Sequence, residues 1–378
     1  MAAKKITAST RKKDVDFENE VKKKYGERVH IGQIESSKDI LSTGSLSLDI
    51  ATGVGGLPRG RIYEFSGMPS VGKSYRVLQV AKKCQEAGGK VALIDTEFIA
   101  DEEYLELLGI DTSPDKWRVF FPENLETAAD LTVDICNSGE YHMVIFDSIA
   151  GAPYAAQQEG DMGDAHMMIR AKLMSTFMPK VNGPVWKNGI WMLFTNQLRS
   201  KPDKYDPYFA PGGNALPFHA SMRFFMRSKV DKDDKATDTE DVSRVTVVCK
   251  LQKNKCAPPF REAEYVLNFD TQEVDQVEEL AAVFTNPKFL RRLGIVRAGA
   301  WYNFSEELMA LGFPEKLNGQ AKVEEFLRKE LEETGDMTFI NKVERHVRVK
   351  LIPKYDPDHV INLQEYEPLG EAYEGSEE

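Results

Sequence analysis

The chain is 378 residues long, 42% hydrophobic and 29% charged, the make-up of an ordinary globular protein with room for one large domain and a smaller one. No uninterrupted apolar run is long enough to cross a bilayer, residues 1–13 lack the apolar stretch of a signal peptide, and Cys84, Cys136, Cys249 and Cys256 stand apart without C-x-x-C spacing; membrane-spanning, disulfide-framed and zinc-centred classes give way to a reducing cytoplasm. The formal charge of -11 argues at first against a nucleic-acid partner, but residues 355–378 alone hold eight carboxylates and no Lys or Arg, so the body is near neutral, and Lys4, Lys5, Arg11, Lys12 and Lys13 make the other end basic.

Residues 14–25 predict a short helix, because Phe17, Val21 and Tyr25 recur every four residues and Gly26 ends the run. Its apolar stripe is narrow and the rest of its surface charged, so it needs a surface to dock on, in its own domain or on a neighbouring copy. Residues 61–65 then read as a buried strand and 75–85 as a helix, with Gly67-Met68-Pro69-Ser70-Val71-Gly72-Lys73-Ser74 between them. This is G-x-x-x-x-G-K-[ST] in the strand-to-helix setting the motif requires. Such a loop turns successive backbone N–H groups and a helix N-terminus toward the β- and γ-phosphates of a nucleoside triphosphate, with Lys73 bridging those phosphates and Ser74 binding Mg²⁺.

Strand-like runs at 91–95, 141–147, 190–196, 220–227 and 242–251 alternate with helical patterns to about residue 269. The alternation predicts an α/β fold with a doubly wound, mostly parallel sheet and ligands at the carboxyl ends of its strands. Asp95 and Glu97, Asp147 and Ser148, and Asn196 and Gln197 fall at those ends. Met143-Val144-Ile145-Phe146-Asp147 is an apolar strand ending in Asp, the Walker B arrangement, and Asp147 is the second Mg²⁺ anchor. Glu97 either takes a proton from an attacking water or caps the helix beginning near Asp101. Gln197 either senses a γ-phosphate and passes that on to the following loop or is an ordinary strand-end amide. Residues 231–241 read as a solvated hairpin tip. Beyond Asp270, short helices punctuated by Gly294, Gly299, Gly312 and Gly319 predict a small α-rich domain ending near Pro353.

Further blocks follow one another along the chain: Ser42-Thr43-Gly44-Ser45-Leu46-Ser47-Leu48-Asp49-Ile50-Ala51, Gly55-Gly56-Leu57-Pro58-Arg59-Gly60-Arg61-Ile62, Gly212-Gly213-Asn214-Ala215-Leu216, Lys253-Asn254-Lys255-Cys256-Ala257-Pro258-Pro259-Phe260 and Gly299-Ala300-Trp301-Tyr302. In that order they resemble the bacterial RecA recombinase family, over about residues 15–350. The resemblance implies a RecA-like P-loop ATPase core at 37–269 carrying two DNA-binding loops. Around it come a basic segment and polymerisation helix at 1–36, a small C-terminal domain at 270–353 and an acidic disordered tail at 354–378. It implies a DNA-dependent ATPase using ATP and Mg²⁺. Such a protein forms helical homo-filaments on single-stranded DNA, searches double-stranded DNA for homology and exchanges strands. The setting is the cytoplasm of a bacterial or phage-infected cell, with no membrane involved.

Position by position, the resemblance makes Glu97 the base that activates water, Asp101 and Tyr104 the adenine contacts, and Gln197 the γ-phosphate sensor. Lys253 and Lys255 would reach into a neighbouring subunit's ATP site in the manner of an arginine finger; by themselves they read as solvated charges. Residues 157–167 correspond to the first DNA loop and 199–213 to the second. Met167 is a wedge between bases, and Lys172, Arg199, Gly212, Gly213 and Asn214 hold the DNA backbone. The chain departs from the family at Pro179, where an arginine is usual, and at Pro217, where a lysine is usual. Its second loop is shorter and filled with Lys201, Lys204, Tyr205, Tyr208 and Phe209, which form either a base-stacking surface or internal packing. Arg223, Arg227 and Lys250 are either a second DNA site or exposed strand residues. The acidic tail is either a solvated end or a competitor with DNA for a basic surface.

Overall fold

The apolar runs form the centre of a nine-stranded sheet. In chain order its strands are β1 (Arg61–Gly67), β2 (Val91–Asp95), β3 (Trp117–Phe120), β4 (Met143–Asp147), β5 (Trp191–Gln197), β6 (Met222–Lys229), β7 (Arg244–Asn254), β8 (Glu262–Asn268) and β9 (Glu273–Val274). Across the sheet they lie in the order β9-β8-β7-β6-β1-β5-β4-β2-β3. The six from β6 to β3 are parallel, and β7, β8 and β9 close one side antiparallel. A computed structural model describes residues 8–26, 29, 38–98, 100–151, 153, 165–200, 208–209, 211–229, 244–268 and 273–364. The expectations for the first DNA loop over 157–164, the middle of the second over 201–207, the hairpin tip at 231–241 and the tail from 365 onward lie outside these residues.

Side chains alternate across the parallel strands, as the pleat requires. Tyr63, Phe65, Ile145 and Leu193 pack on one face, where the helix Lys73–Glu86 contributes Val77, Leu78 and Val80. Ile62, Val144, Phe146, Met192 and Phe194 pack on the other, under the helices Leu125–Ser138 and Ala165–Lys187. With both faces covered, the strands are continuous apolar runs, which is why the sequence exposes them so clearly. This is the expected α/β, doubly wound, mostly parallel sheet. Three strands escape the sequence reading: β3 is only four residues long and β9 only two, and β8 alternates, with Glu262 and Glu264 exposed and Ala263, Tyr265 and Leu267 buried.

The helix at the amino end runs Ala8–Tyr25, longer than the periodicity predicts, and Phe17 and Tyr25 of its apolar stripe are exposed. Beyond β9, Gly294 and Gly312 end short helices as read, at Leu290–Leu293 and Glu306–Leu311, but the punctuation misleads elsewhere. Gly299 is the turn of a hairpin, and Ile295–Ala298, Trp301–Phe304 and Lys316–Asn318 form a three-stranded antiparallel sheet. The helices beside it, Gln276–Thr285, Gly319–Thr334 and Thr338–Leu351, are not all short. They share a core around Phe284, Phe304 and Phe313 with Leu46 and Ile50 of the helix Leu46–Thr52.

That last helix is tied down by charge. Glu279 accepts hydrogen bonds from the Ser45 hydroxyl, from Leu46 N at 2.8 Å and from Ser47 N at 3.0 Å, satisfying donors that a helix start leaves open. Asp49, fully buried, accepts from Ser42 Oγ at 2.6 Å, Thr43 N at 2.8 Å, Thr43 Oγ1 at 2.7 Å and Arg348 Nη2 at 2.9 Å.

The expectation that disorder begins at residue 354 needs correction. Residues 355–364 return from the last helix to the end of the helix Lys73–Glu86, where Leu363 is buried in the main core and its N–H donates to Ala87 O at 2.8 Å. Arg345 pairs with Asp358 at 2.5 Å and His359 Nε2 lies 3.0 Å from Asp39 Oδ1. Between residues 356 and 364 only Val360, Ile361 and Leu363 are apolar, too few to register as a periodic signal.

Candidate functional site

The carboxyl ends of β1, β5, β4 and β2 meet in register, with Gly67 opposite Gln197 and Asp95 opposite Asp147. β1 turns into the helix Lys73–Glu86 through the predicted phosphate loop. Gly67 is required there, since a Cβ would lie 2.5 Å from Met226 O and 2.8 Å from Val71 Cγ1. Gly72 precedes the helix at φ 83° and no side chain caps it, which leaves the first-turn N–H groups to a bound anion. Lys73 Nζ donates to Met68 O at 2.8 Å, curled over the loop. Burial lowers its pKa, opposed by the negative charges of Asp147 and Glu97.

Asp147 is buried at the end of β4, where Thr195 Oγ1 donates to its Oδ1 at 2.5 Å. Burial raises its pKa, the hydrogen bonds from Thr195 and Ser74 pull it back, and Glu97 and Asp95 push it up further. A poorly solvated carboxylate joined to the Ser74 hydroxyl is a two-oxygen site. It fits Mg²⁺ carried by a nucleotide, which takes one or two protein oxygens and completes its shell with phosphate and water. Among the described residues no three His, Cys, Asp or Glu side chains gather as a self-sufficient metal site, so the donor set suits a metal that arrives with its phosphates.

Glu97 does not cap a helix. Asp101 does, accepting from Tyr104 N at 2.9 Å at the start of Glu102–Leu107. Glu97 Oε1 instead accepts from Ser148 Oγ at 2.5 Å and from Gln197 Nε2 at 3.2 Å. The carboxylate of Asp95 is spent on the turn that presents it, accepting from Glu97 N at 3.0 Å, Phe98 N at 2.9 Å and Ala100 N at 2.8 Å. Tyr104 is partly exposed on the next helix, and burial raises its pKa. Three strand ends thus bring Glu97, Gln197 and Ser148 together, beside Lys73, Ser74 and Asp147.

Lys253, at the end of β7, is used within its own subunit, where Nζ donates to Pro217 O and Phe218 O, each at 2.7 Å. Burial lowers its pKa, and the cations Lys255 and Arg223 lower it further. β6 and β1 separate β7 from β5 and β4, so the two lysines stand on the other side of the phosphate-loop strand from Asp147. Asn254 between them organises the turn, donating to Thr52 O and accepting from Cys256 N and Ala257 N.

Of the expected DNA contacts, Met167 stands in the first turn of Ala165–Lys187 and Lys172 is exposed on the same helix. Exposed Arg199 begins a short strand, Arg199–Ser200, that pairs with Tyr208–Phe209. Gly212 and Gly213 lead to Asn214 at the head of the helix Ala215–His219, with Gly213 and Asn214 exposed. Pro179 is exposed within Ala165–Lys187, and Pro217 lends its carbonyl to Lys253. Arg223, read either as a second DNA site or as an exposed strand residue, is half-buried, and its Nε donates at 2.5 Å to Glu64, which is fully buried. Sequence reasoning missed Thr195 and Arg170. Arg170 Nη1 donates to Ile149 O at 2.8 Å and Ala150 O at 2.9 Å, fixing the turn after Asp147; helix pattern reading treats such a cation as a surface charge.

Comparison with known proteins follows the same outline. Residues 13–272 match the family described as RecA N-terminal domain. The chain is 36% identical over 304 residues to Protein RecA of Psychrobacter arcticus, covering 78% of this chain and 82% of that one. It is 34% identical over 336 residues to Protein RecA of Thioalkalivibrio sulfidiphilus, covering 87% and 90%. Against Protein RecA of Acinetobacter baumannii it is 35% identical over 308 residues, covering 79% and 84%.

Proposed function

Because this chain belongs to the RecA family, we propose that it is an ATP-dependent homologous recombinase. It forms a helical filament on single-stranded DNA, searches duplex DNA for homology and exchanges strands, in the cytoplasm of a bacterial or phage-infected cell. The observation that supports this best is the Glu97 carboxylate held between Ser148 and Gln197 beside the phosphate loop, a base and an amide sensor sharing one oxygen.

ATP would lie along Gly67–Ser74 with Asp101 and Tyr104 at its adenine, and Mg²⁺ on Ser74 and Asp147 supplies charge neutralisation at the phosphates. Lys73 leaves Met68 O to meet the phosphates. Glu97, fixed by Ser148, orients the attacking water and takes its proton. Gln197 answers to the γ-phosphate, and its departure from Glu97 shifts the strand end that continues into Arg199 and the second loop. Met167 wedges between bases, and Lys172, Arg199, Gly212, Gly213 and Asn214 hold the DNA backbone, leaving base edges free to pair. The exposed stripe of the helix Ala8–Tyr25 docks the 1–36 segment on the next subunit of the filament.

Lys253 leaves the carbonyls of Pro217 and Phe218 and, with Lys255, completes the neighbour's site, so hydrolysis needs two subunits. Mixing tests this. Lys73→Ala and Lys253→Ala subunits, each inactive alone, recover roughly a quarter of wild-type turnover at equal ratio if assembly is random and head to tail. No recovery at any ratio counts against the shared site.

A further inference from the structure

β1 carries one fully buried carboxylate, Glu64, flanked by buried Ile62, Tyr63 and Phe65. A buried charge costs several kcal/mol unless it is paired and hydrogen-bonded, and each oxygen of Glu64 goes to a different element. Oε2 accepts from Arg223 Nε of β6 at 2.5 Å, and Oε1 accepts from Asn196 Nδ2 of β5 at 3.2 Å. The same Nδ2 donates at 3.1 Å to Pro211 O, just ahead of Gly212. Asn196 Oδ1 is buried without a hydrogen bond among the described residues, so this amide is held only through its shared Nδ2. A shift of Asn196 therefore breaks its bond to Glu64, to Pro211 or to both.

Both arms lead to functional positions. Asn196 precedes Gln197, which holds Glu97. Arg223 is the cross-strand partner of Lys253, whose Nζ rests on the carbonyls of Pro217 and Phe218. The negative charge of Glu64 also raises the Lys253 pKa, against the larger lowering by burial, Lys255 and Arg223.

We propose that Glu64 is a positioning residue that couples the sensor strand end to the exit of the second loop and to the Lys253 strand. The proposal rests on the recombinase reading above. It assigns Glu64 no contact with nucleotide or DNA; the carboxylate makes Asn196, Pro211 and Arg223 move as one unit.

The test compares binding of a fluorescent oligo-dT in a non-hydrolysable ATP analogue and in ADP, with nucleotide affinity and thermal melting measured on the same samples. In wild type the analogue tightens DNA binding. Glu64→Gln is expected to lose at least about ten-fold of that gain while nucleotide affinity changes by less than a few-fold. Arg223→Lys, which keeps the charge pair, retains most of the gain, and Arg223→Gln loses it; this pair carries the test should Glu64→Gln fail to fold. A full gain in Glu64→Gln or Arg223→Gln overturns the proposal, as does a loss that only tracks the fall in melting temperature. A wild type with no difference between analogue and ADP overturns the recombinase reading and the coupling together, so the two failures are told apart.

Discussion

Glu97→Gln lowers DNA-dependent ATP turnover by about 10²- to 10⁴-fold, the usual contribution of a general base, with nucleotide affinity changed little. The amide keeps the size of the side chain and an oxygen that still accepts from Ser148 Oγ and Gln197 Nε2. What it loses is the ability to take a proton. The helix next door is capped by Asp101, so no change of fold is expected, and melting should stay within a few degrees of wild type. Single-turnover hydrolysis measured beside fluorescent-nucleotide binding separates the two effects. Unchanged turnover removes Glu97 from its role; a matching loss of nucleotide affinity makes it a binding group instead.

Asp49→Ala destabilises the protein by about 3–5 kcal/mol, the range for breaking a buried ion pair by removing one partner. The carboxylate accepts from Ser42 Oγ, Thr43 N, Thr43 Oγ1 and Arg348 Nη2, and the variant takes the acceptor from the buried Thr43 N–H, while the Thr43 hydroxyl keeps Ser45 O at 3.2 Å. Burial works against the charge on Arg348, but Asp49 and Glu344 beside it outweigh that and hold its pKa above the ordinary value. Without Asp49 that guanidinium retains, among the described residues, Glu344 at 2.7 Å. Because Arg348 lies on the last helix, the loss also loosens that helix from Leu46–Thr52. Urea unfolding of both proteins measures the difference, and a loss under about 1 kcal/mol, the size of a single neutral hydrogen bond, contradicts the account.

The two sites differ in how far the sequence discloses them. Lys73, Ser74, Asp147, Glu97 and Gln197 are legible because strand periodicity and a spaced motif put each at a strand end, and ends of adjacent parallel strands meet by construction. Asp49 is visible only as a residue in a block, since its partner Arg348 is 299 positions away. Glu64 hides for the same reason: it is the one carboxylate in a mostly apolar strand, and its partner Arg223 lies 159 positions on. Lys253 is half legible, for the resemblance supplies its role while the carbonyls that hold it in its own subunit come from a helix that spacing does not bring near. The hairpin at Gly299 shows the opposite error, where a glycine read as a helix stop is a strand turn.

The most direct test of the central claim is ATP hydrolysis by the full chain with and without single-stranded DNA, with the same samples imaged by electron microscopy. The account predicts strong stimulation by DNA together with ordered helical filaments. Constitutive turnover by closed rings, or DNA binding without turnover, contradicts it.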